Sequence, residues 1–177
     1  MSKGTPASGV SLAELRRTFD ASFAAPRQPA AGHEALLALR VGGSVFAARL
    51  REVRGLGKLR RCVPLPDPPP GLLGLAGLRG RLVAVFDLAQ LLGEAGAEPP
   101  EWIVLAGSDE PVGLAVTRLE GQLEAAPEAI HAAQPGAHPF VHELLRGDAG
   151  ALGILDLGAV VREVQARADR TGPGKER

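Results

Sequence analysis

Few residues in this 177-residue chain have the types and spacing that chemistry needs. Gly55-Leu56-Gly57-Lys58 sets glycines beside a lysine, the combination that cradles phosphates. The spacing is too short for a phosphate loop, however, and no Ser or Thr follows Lys58. Gly71, Gly74, Gly77 and Gly80 recur every third residue but do not spell GxGxxG, and they precede an apolar strand where a nucleotide loop would open a helix. His138 and His142 stand four apart with His131 nearby, yet Pro139 interrupts any shared helical face. Arg146 occupies the place where a zinc-binding second histidine would follow His142-Glu143. Asp87 and Asp156 are the tempting carboxylate pair, but each ends an apolar run and opens a helical stripe, the N-cap position that aspartate favours. None of the six serines lies in a GxSxG elbow. Cys62, the only cysteine, rules out an intrachain disulfide and reads as a small buried apolar residue. These readings supply no catalytic residues, no metal ligands and no cofactor site. The expectation is a binding module.

Composition narrows the partner. Lys+Arg 20 balance Asp+Glu 20, so the chain lacks the charge footprint of a nucleic-acid or anionic-membrane binder. Aromatics are only 3% and Tyr is absent, against a base-stacking surface. Hydrophobic content of 45% is ordinary for a soluble globular protein with one core or two small halves sharing one. No apolar run approaches the length of a membrane span, and the N-terminal MSKGTPASGV has no leader-like apolar segment. The expectation is a cytoplasmic protein without direct membrane insertion.

The elements that must position a binding surface are legible in outline. Residues 1–33 read as a tail holding one short amphipathic helix over 11–24. Ser11 and Glu14 form its capping box, and Leu12, Leu15, Phe19 and Phe23 form its apolar stripe. That stripe docks either on its own domain or on a partner. The domain proper runs over 34–166, followed by a disordered tail at 167–177. Residues 35–41 and 44–48 read as strands joined at Gly42-Gly43. The proline-rich 64–70 is a rigid extended loop. Leu82 to Phe86 form a strand behind a turn carrying Arg79 and Arg81, and Asp87 caps a short helix stopped by Gly93. Residues 102–106 and 112–116 form a second hairpin, and 151–155 a strand running into an Asp156-capped helix that ends near Ala166.

An internal echo links these pieces. Val53-Arg54-Gly55 recurs as Leu119-Glu120-Gly121 at an offset of 66 (119 − 53), and Val85-Phe86-Asp87-Leu88 recurs as Ile154-Leu155-Asp156-Leu157 at 69 (156 − 87). The chain therefore reads as two similar halves, each a hairpin, a strand, a loop, a strand and an Asp-capped helix. Short strands with Gly/Pro turns favour two small β-barrels side by side over a βαβ sheet.

The run Gly74-Leu75-Ala76-Gly77-Leu78-Arg79-Gly80-Arg81, then Val83-Ala84-Val85-Phe86-Asp87-Leu88, resembles the signature of the CheW-like family. In that family the run reads G-hydrophobic-x-N-L-R-G, followed by an apolar strand and D-L. Phe46, Val53, Pro64-Leu65-Pro66, Val112 to Val116 and Leu155-Asp156-Leu157 fall on further family positions in order, over about residues 34 to 165. The resemblance implies a mainly β fold of two interlocked SH3-like five-stranded barrels with short capped helices and a C-terminal helix. It implies an adaptor without enzymatic activity, joining the cytoplasmic tips of methyl-accepting chemoreceptors to the regulatory domain of the histidine kinase CheA. Receptor helices would lie in an apolar groove between barrels.

Carried over by position, Val53 and Arg79 match residues implicated in partner contact, with Gly74 and Leu78 shaping the same surface. Arg79 suits the task, because its fork can bridge a carboxylate or carbonyl while its stem covers apolar surface. Two positions depart from the pattern: Gly77 stands where the family usually has Asn, and Gly55 where it is often acidic. The alternative is a divergent module of the same family that serves another signalling or motility system, with partner choice set by the helix at 11–24.

Overall fold

The structure, a computed structural model, describes residues 32–171 apart from 97, 109, 135–137 and 148–149. The helix expected at 11–24, with Leu12, Leu15, Phe19 and Phe23, lies outside the described residues.

Eleven strands and two short-loop-capped helices follow one another in the described residues. Glu34–Val41 (β1) and Ser44–Arg49 (β2) pair antiparallel with Val41 opposite Ser44, which makes Gly42-Gly43 the expected two-residue turn. A 3₁₀ turn at Leu50–Glu52 leads to Val53–Lys58 (β3), then come Leu72–Leu78 (β4) and Arg81–Asp87 (β5). Leu88–Leu92 (α1) follows, capped by the Asp87 carboxylate, which accepts from the Ala89 and Gln90 amides; Gly93, left-handed at φ 71°, ends it. Trp102–Ala106 (β6), Val112–Val116 (β7), Arg118–Ala125 (β8), Ile130–Ala132 (β9), Val141–Gly147 (β10) and Gly150–Leu155 (β11) complete the strands. The second helix, Leu157–Thr171 (α2), opens on Asp156, whose Oδ1 accepts from the Ala159 amide at 2.7 Å. It continues past Ala166 into the stretch assigned to the tail.

The strands form two sheets, in the orders β8-β1-β2-β11-β10-β9 and β3-β6-β7-β5-β4. The sheets are interlocked. β11, from the second half, lies parallel to β2 of the first, with Ile154 opposite Ala47. β5, from the first half, lies parallel to β7 of the second, with Val85 opposite Gly113. The offsets read from the sequence reappear in these pairs, with Ala47 and Gly113 66 apart (113 − 47) and Val85 and Ile154 69 apart (154 − 85). Each hairpin is inserted into the sheet of the other half.

The ladders number six and five strands, and neither is hydrogen-bonded end to end, where two closed five-stranded barrels were expected. The sixth strand has a local cause. Pro127 starts a 3₁₀ turn over Pro127–Ala129 that splits one long strand into β8 and β9. The strands β4 (72–78) and β10 (141–147) have no counterpart in the expected order of elements.

The core follows the two-residue period of the strands. Leu37, Leu39 and Val41 enter a large cluster with Phe46, Phe86, Leu114, Val116, Leu155 and the α2 residues Leu157, Val160 and Val164. Leu36, on the opposite face of β1, joins Ala47, Ala125 and Ile154 in a second cluster. Val85, Ile103, Ala76 and Ala115 form a third within the five-stranded sheet. Each sheet therefore buries residues on both faces, which a flat two-layer sandwich with one solvated face per sheet does not do.

Candidate docking groove

The β4–β5 hairpin closes through two residues. Leu78 pairs with Arg81, and Arg79 (φ 51°) and Gly80 (φ 77°) are both left-handed, the signature of a type I′ turn. Glycine is usual at the second central position, whereas an arginine at the first is held in a conformation that L-residues resist. The turn presents the exposed Arg79 side chain at the hairpin tip.

Two other family-matched positions serve the fold around this tip. β3 and β4 are the end strands of their sheet. The chain after β3 crosses to β4 through a bridge, with the Val63 amide donating to Leu75 O at 2.8 Å and the Leu75 amide to Val63 O at 2.9 Å. That approach requires Gly74: at φ 138°, a Cβ there would lie 2.2 Å from Val63 O. Leu78 fills the gap higher up, its Cδ1 resting where a Cβ on Gly57 would come within 2.2 Å. Val53 is half-buried, opposes Ala106 and packs on the main core. Of the four positions, Leu78 and Arg79 line one groove together, while Gly74 and Val53 lie outside its lining.

That groove has a volume of about 750 Å³ and lies between the β4–β5 hairpin, the β6–β7 turn and α2. Phe86, Leu105, Val112 and Val164 supply apolar lining, and Arg54, Arg79 and Arg81 supply cations, against the single carboxylate of Glu110 among the described residues. Leu82 stands on its wall with 73% of its surface exposed, where a strand-face leucine of this sheet would ordinarily be buried. Val63 and Leu65 are likewise exposed on the other side of the hairpin. Sequence reasoning singled out neither Arg54 nor Leu82 for this surface. β5 buries Val85 on one face and Phe86 on the other, so alternation does not single out Leu82, whereas Arg54 is exposed beside the half-buried Val53.

The residues weighed for chemistry have structural partners. Asp87 and Asp156 cap helices, as expected. The Phe140 amide donates to His138 Nδ1 at 3.3 Å, which places the ring proton on Nε2, 3.1 Å from Leu92 O. His138 thereby fastens the approach to β10 onto the end of α1. His131 and His142 sit on the paired strands β9 and β10, both exposed. The half-buried Cys62 packs with the third cluster, and burial pushes its thiol pKa up, away from thiolate reactivity. Among the described residues no His, Cys, Asp or Glu group of three or more could hold a metal ion. The geometry offers shape, apolar area and guanidinium groups.

Comparison with known proteins adds a family. Residues 35–165 match the CheW-like domain. The chain is 26% identical over 144 residues to the "Probable chemotaxis protein CheW" of Rhizobium etli, covering 77% of this chain and 93% of that protein. It is 29% identical over 119 residues to the "Chemotaxis protein CheW" of Rhizobium meliloti, covering 66% and 77% respectively. Its fold matches the crystal structure of the scaffolding protein TtCheW from Thermoanaerobacter tengcongensis with a TM-score of 0.64 at 17% identity, over 70% of this chain and 89% of that one.

Proposed function

The chain belongs to the CheW-like domain family, and from that premise we propose that it is a non-enzymatic chemotaxis adaptor coupling chemoreceptor cytoplasmic tips to a CheA-type histidine kinase. The observation that carries this reading is the groove beside the β4–β5 hairpin. It holds about 750 Å³, with apolar Phe86, Leu105, Val112 and Val164 and the cations Arg54, Arg79 and Arg81 among its lining residues. A receptor tip is a helical hairpin, and one of its helices fits such a groove by its apolar stripe.

The two sheets support the finer fold reading of two SH3-like barrels. β8 turns into β9 at Pro127, so the two ends of the six-stranded ladder are one bent strand. Val63, five residues beyond the end of β3, bridges to Leu75 of β4 at the other end of the five-stranded ladder. Barrels of this kind suit pairing with the homologous regulatory domain of the kinase. No helix among the described residues is long and apolar enough to cross a membrane, in keeping with a cytoplasmic adaptor recruited to arrays by its receptors.

Leu82→Asp tests the groove. Because Leu82 is 73% exposed, the substitution leaves stability within about 0.5 kcal/mol of wild type. A carboxylate on the groove wall should abolish co-sedimentation with a receptor cytoplasmic fragment. Undiminished binding by the folded variant would remove the groove from the reading.

A further inference from the structure

The groove collects three guanidinium groups, Arg54, Arg79 and Arg81, and among the described residues none of them has an ion-pair partner. Arg79 has a particular place. Its guanidinium lies across β3 at Gly55, where a Cβ would stand 3.6 Å from Nη1, 3.8 Å from Cζ and 3.4 Å from Leu105 Cδ1. Those are ordinary contact distances, so a side chain fits there, and an acidic one would meet the guanidinium directly. Glycine leaves the space open. The result is a side-chain-sized opening beside an unpaired cation, at the edge of an apolar groove.

Covering this groove with a partner strips water from Arg79. A guanidinium desolvated without a counter-charge opposes binding, and among the described residues Glu110 is the only carboxylate in the lining. We propose that the partner helix carries an aspartate or glutamate seated over Gly55 against Arg79, with its apolar stripe on Leu82, Leu105 and Val112. The inference rests on the groove being the docking surface for a partner helix, and it names the chemistry that partner must bring. An apolar lining and a chain with no net charge favour an acidic amphipathic protein helix over nucleic acid or an anionic lipid surface. Recognition then divides between two kinds of contact: apolar area gives affinity, and the carboxylate seat selects among partners by charge and register.

The test uses the full chain and the purified cytoplasmic hairpin of a chemoreceptor from the same genome, with binding followed by calorimetry. Each Asp and Glu of the hairpin is changed to its amide in turn, against wild type and against Arg79→Asn, a change that keeps the left-handed turn. One carboxylate should weaken wild-type binding about tenfold when removed, and have no effect against Arg79→Asn. Gly55→Glu, which fills the seat from within, should weaken binding to a similar degree without lowering the melting temperature. Arg79→Glu should be rescued by the hairpin variant carrying arginine at that same position. If the hairpin binds and Leu82→Asp abolishes binding, yet no carboxylate couples to Arg79 or Gly55→Glu binds like wild type, the seat is wrong and the groove reading stands. No binding by wild type takes both down.

Discussion

Arg79 should cost the fold stability, and replacing it with the right residue should give that stability back while weakening partner binding. At φ 51°, in the first central position of a type I′ turn, it occupies the left-handed region, which costs an L-residue about 1–2 kcal/mol. Asparagine tolerates that region far better, so Arg79→Asn recovers most of this cost. Against the gain stands the arginine stem lying across Gly55 and Leu105. The side chain is exposed, so its lost packing is worth roughly one methylene, or about 0.8 kcal/mol.

The net expectation for Arg79→Asn is a gain of about 0.2–1.2 kcal/mol, or roughly 1–5 °C in melting temperature for a domain of this size. Arg79→Gly relieves the same strain but adds backbone freedom to the unfolded chain, so it should stay near wild type. Arg79→Val, β-branched at positive φ, should fall below all three. Urea unfolding gives the order, and receptor-fragment binding measured on the same proteins shows weakening in every variant. If Arg79→Asn is less stable than wild type by 1 kcal/mol or more, the guanidinium is holding the fold together and is not presented at a cost.

Gly74→Ala and Gly77→Ala, equivalent in the glycine spacing, should behave oppositely in urea. The first forces a side chain into Val63 O at positive φ and should cost roughly 3 kcal/mol or more, whereas the second meets nothing within 4 Å and should be neutral or stabilising by a few tenths. Similar losses at both positions would mean the bridge to Val63 does not govern. Glu52 carries a pH dependence. Burial, opposed by the hydrogen bond from the Leu157 amide and reinforced by Asp156, raises its pKa. With the folded value above the unfolded one, its contribution is fully present below the unfolded pKa and is lost as pH rises through the folded one. Glu52→Gln keeps an acceptor for Leu157 without the charge, so its stability relative to wild type should grow as pH rises above the ordinary glutamate range. A difference that shrinks over that rise contradicts the assignment.

Much of the fold was legible because local chemistry and tertiary demand agree at certain residues. Gly42-Gly43 could only turn, the two aspartates could only cap, and the repeat offsets of 66 and 69 returned as facing positions in two parallel strand pairs. Two strands were weakly marked, for definite reasons. β4 reads LLGLAGL, where glycine at every third position masks the two-residue period. β8 reads RLEGQLEA, with Ala125 buried, Leu119 and Leu123 half-buried and its remaining residues exposed. The insertion of each hairpin into the opposite sheet leaves no local trace, since it is a property of pairings between residues far apart in the chain.

The candidate site was legible as a family pattern before it was legible as geometry. The motif around Arg79 mixes two kinds of necessity that look alike in sequence. Gly74 and Gly80 are glycines for backbone reasons: a side chain at Gly74 would strike Val63 O, and one at Gly80 would be strained at positive φ. Arg79 is the reverse case: the turn would accept asparagine more readily, so the arginine is retained against local preference. Gly55 and Gly77 are a third case, since neither a positive φ nor an unyielding close contact requires glycine at either. A strained cation beside a vacant side-chain position is what a docking surface looks like when one half of a charge pair resides in another molecule. Gly55→Glu makes the point testable within this chain alone. If the introduced carboxylate pairs with Arg79, its pKa drops below the ordinary glutamate range, and titration by NMR reads that drop without any partner present.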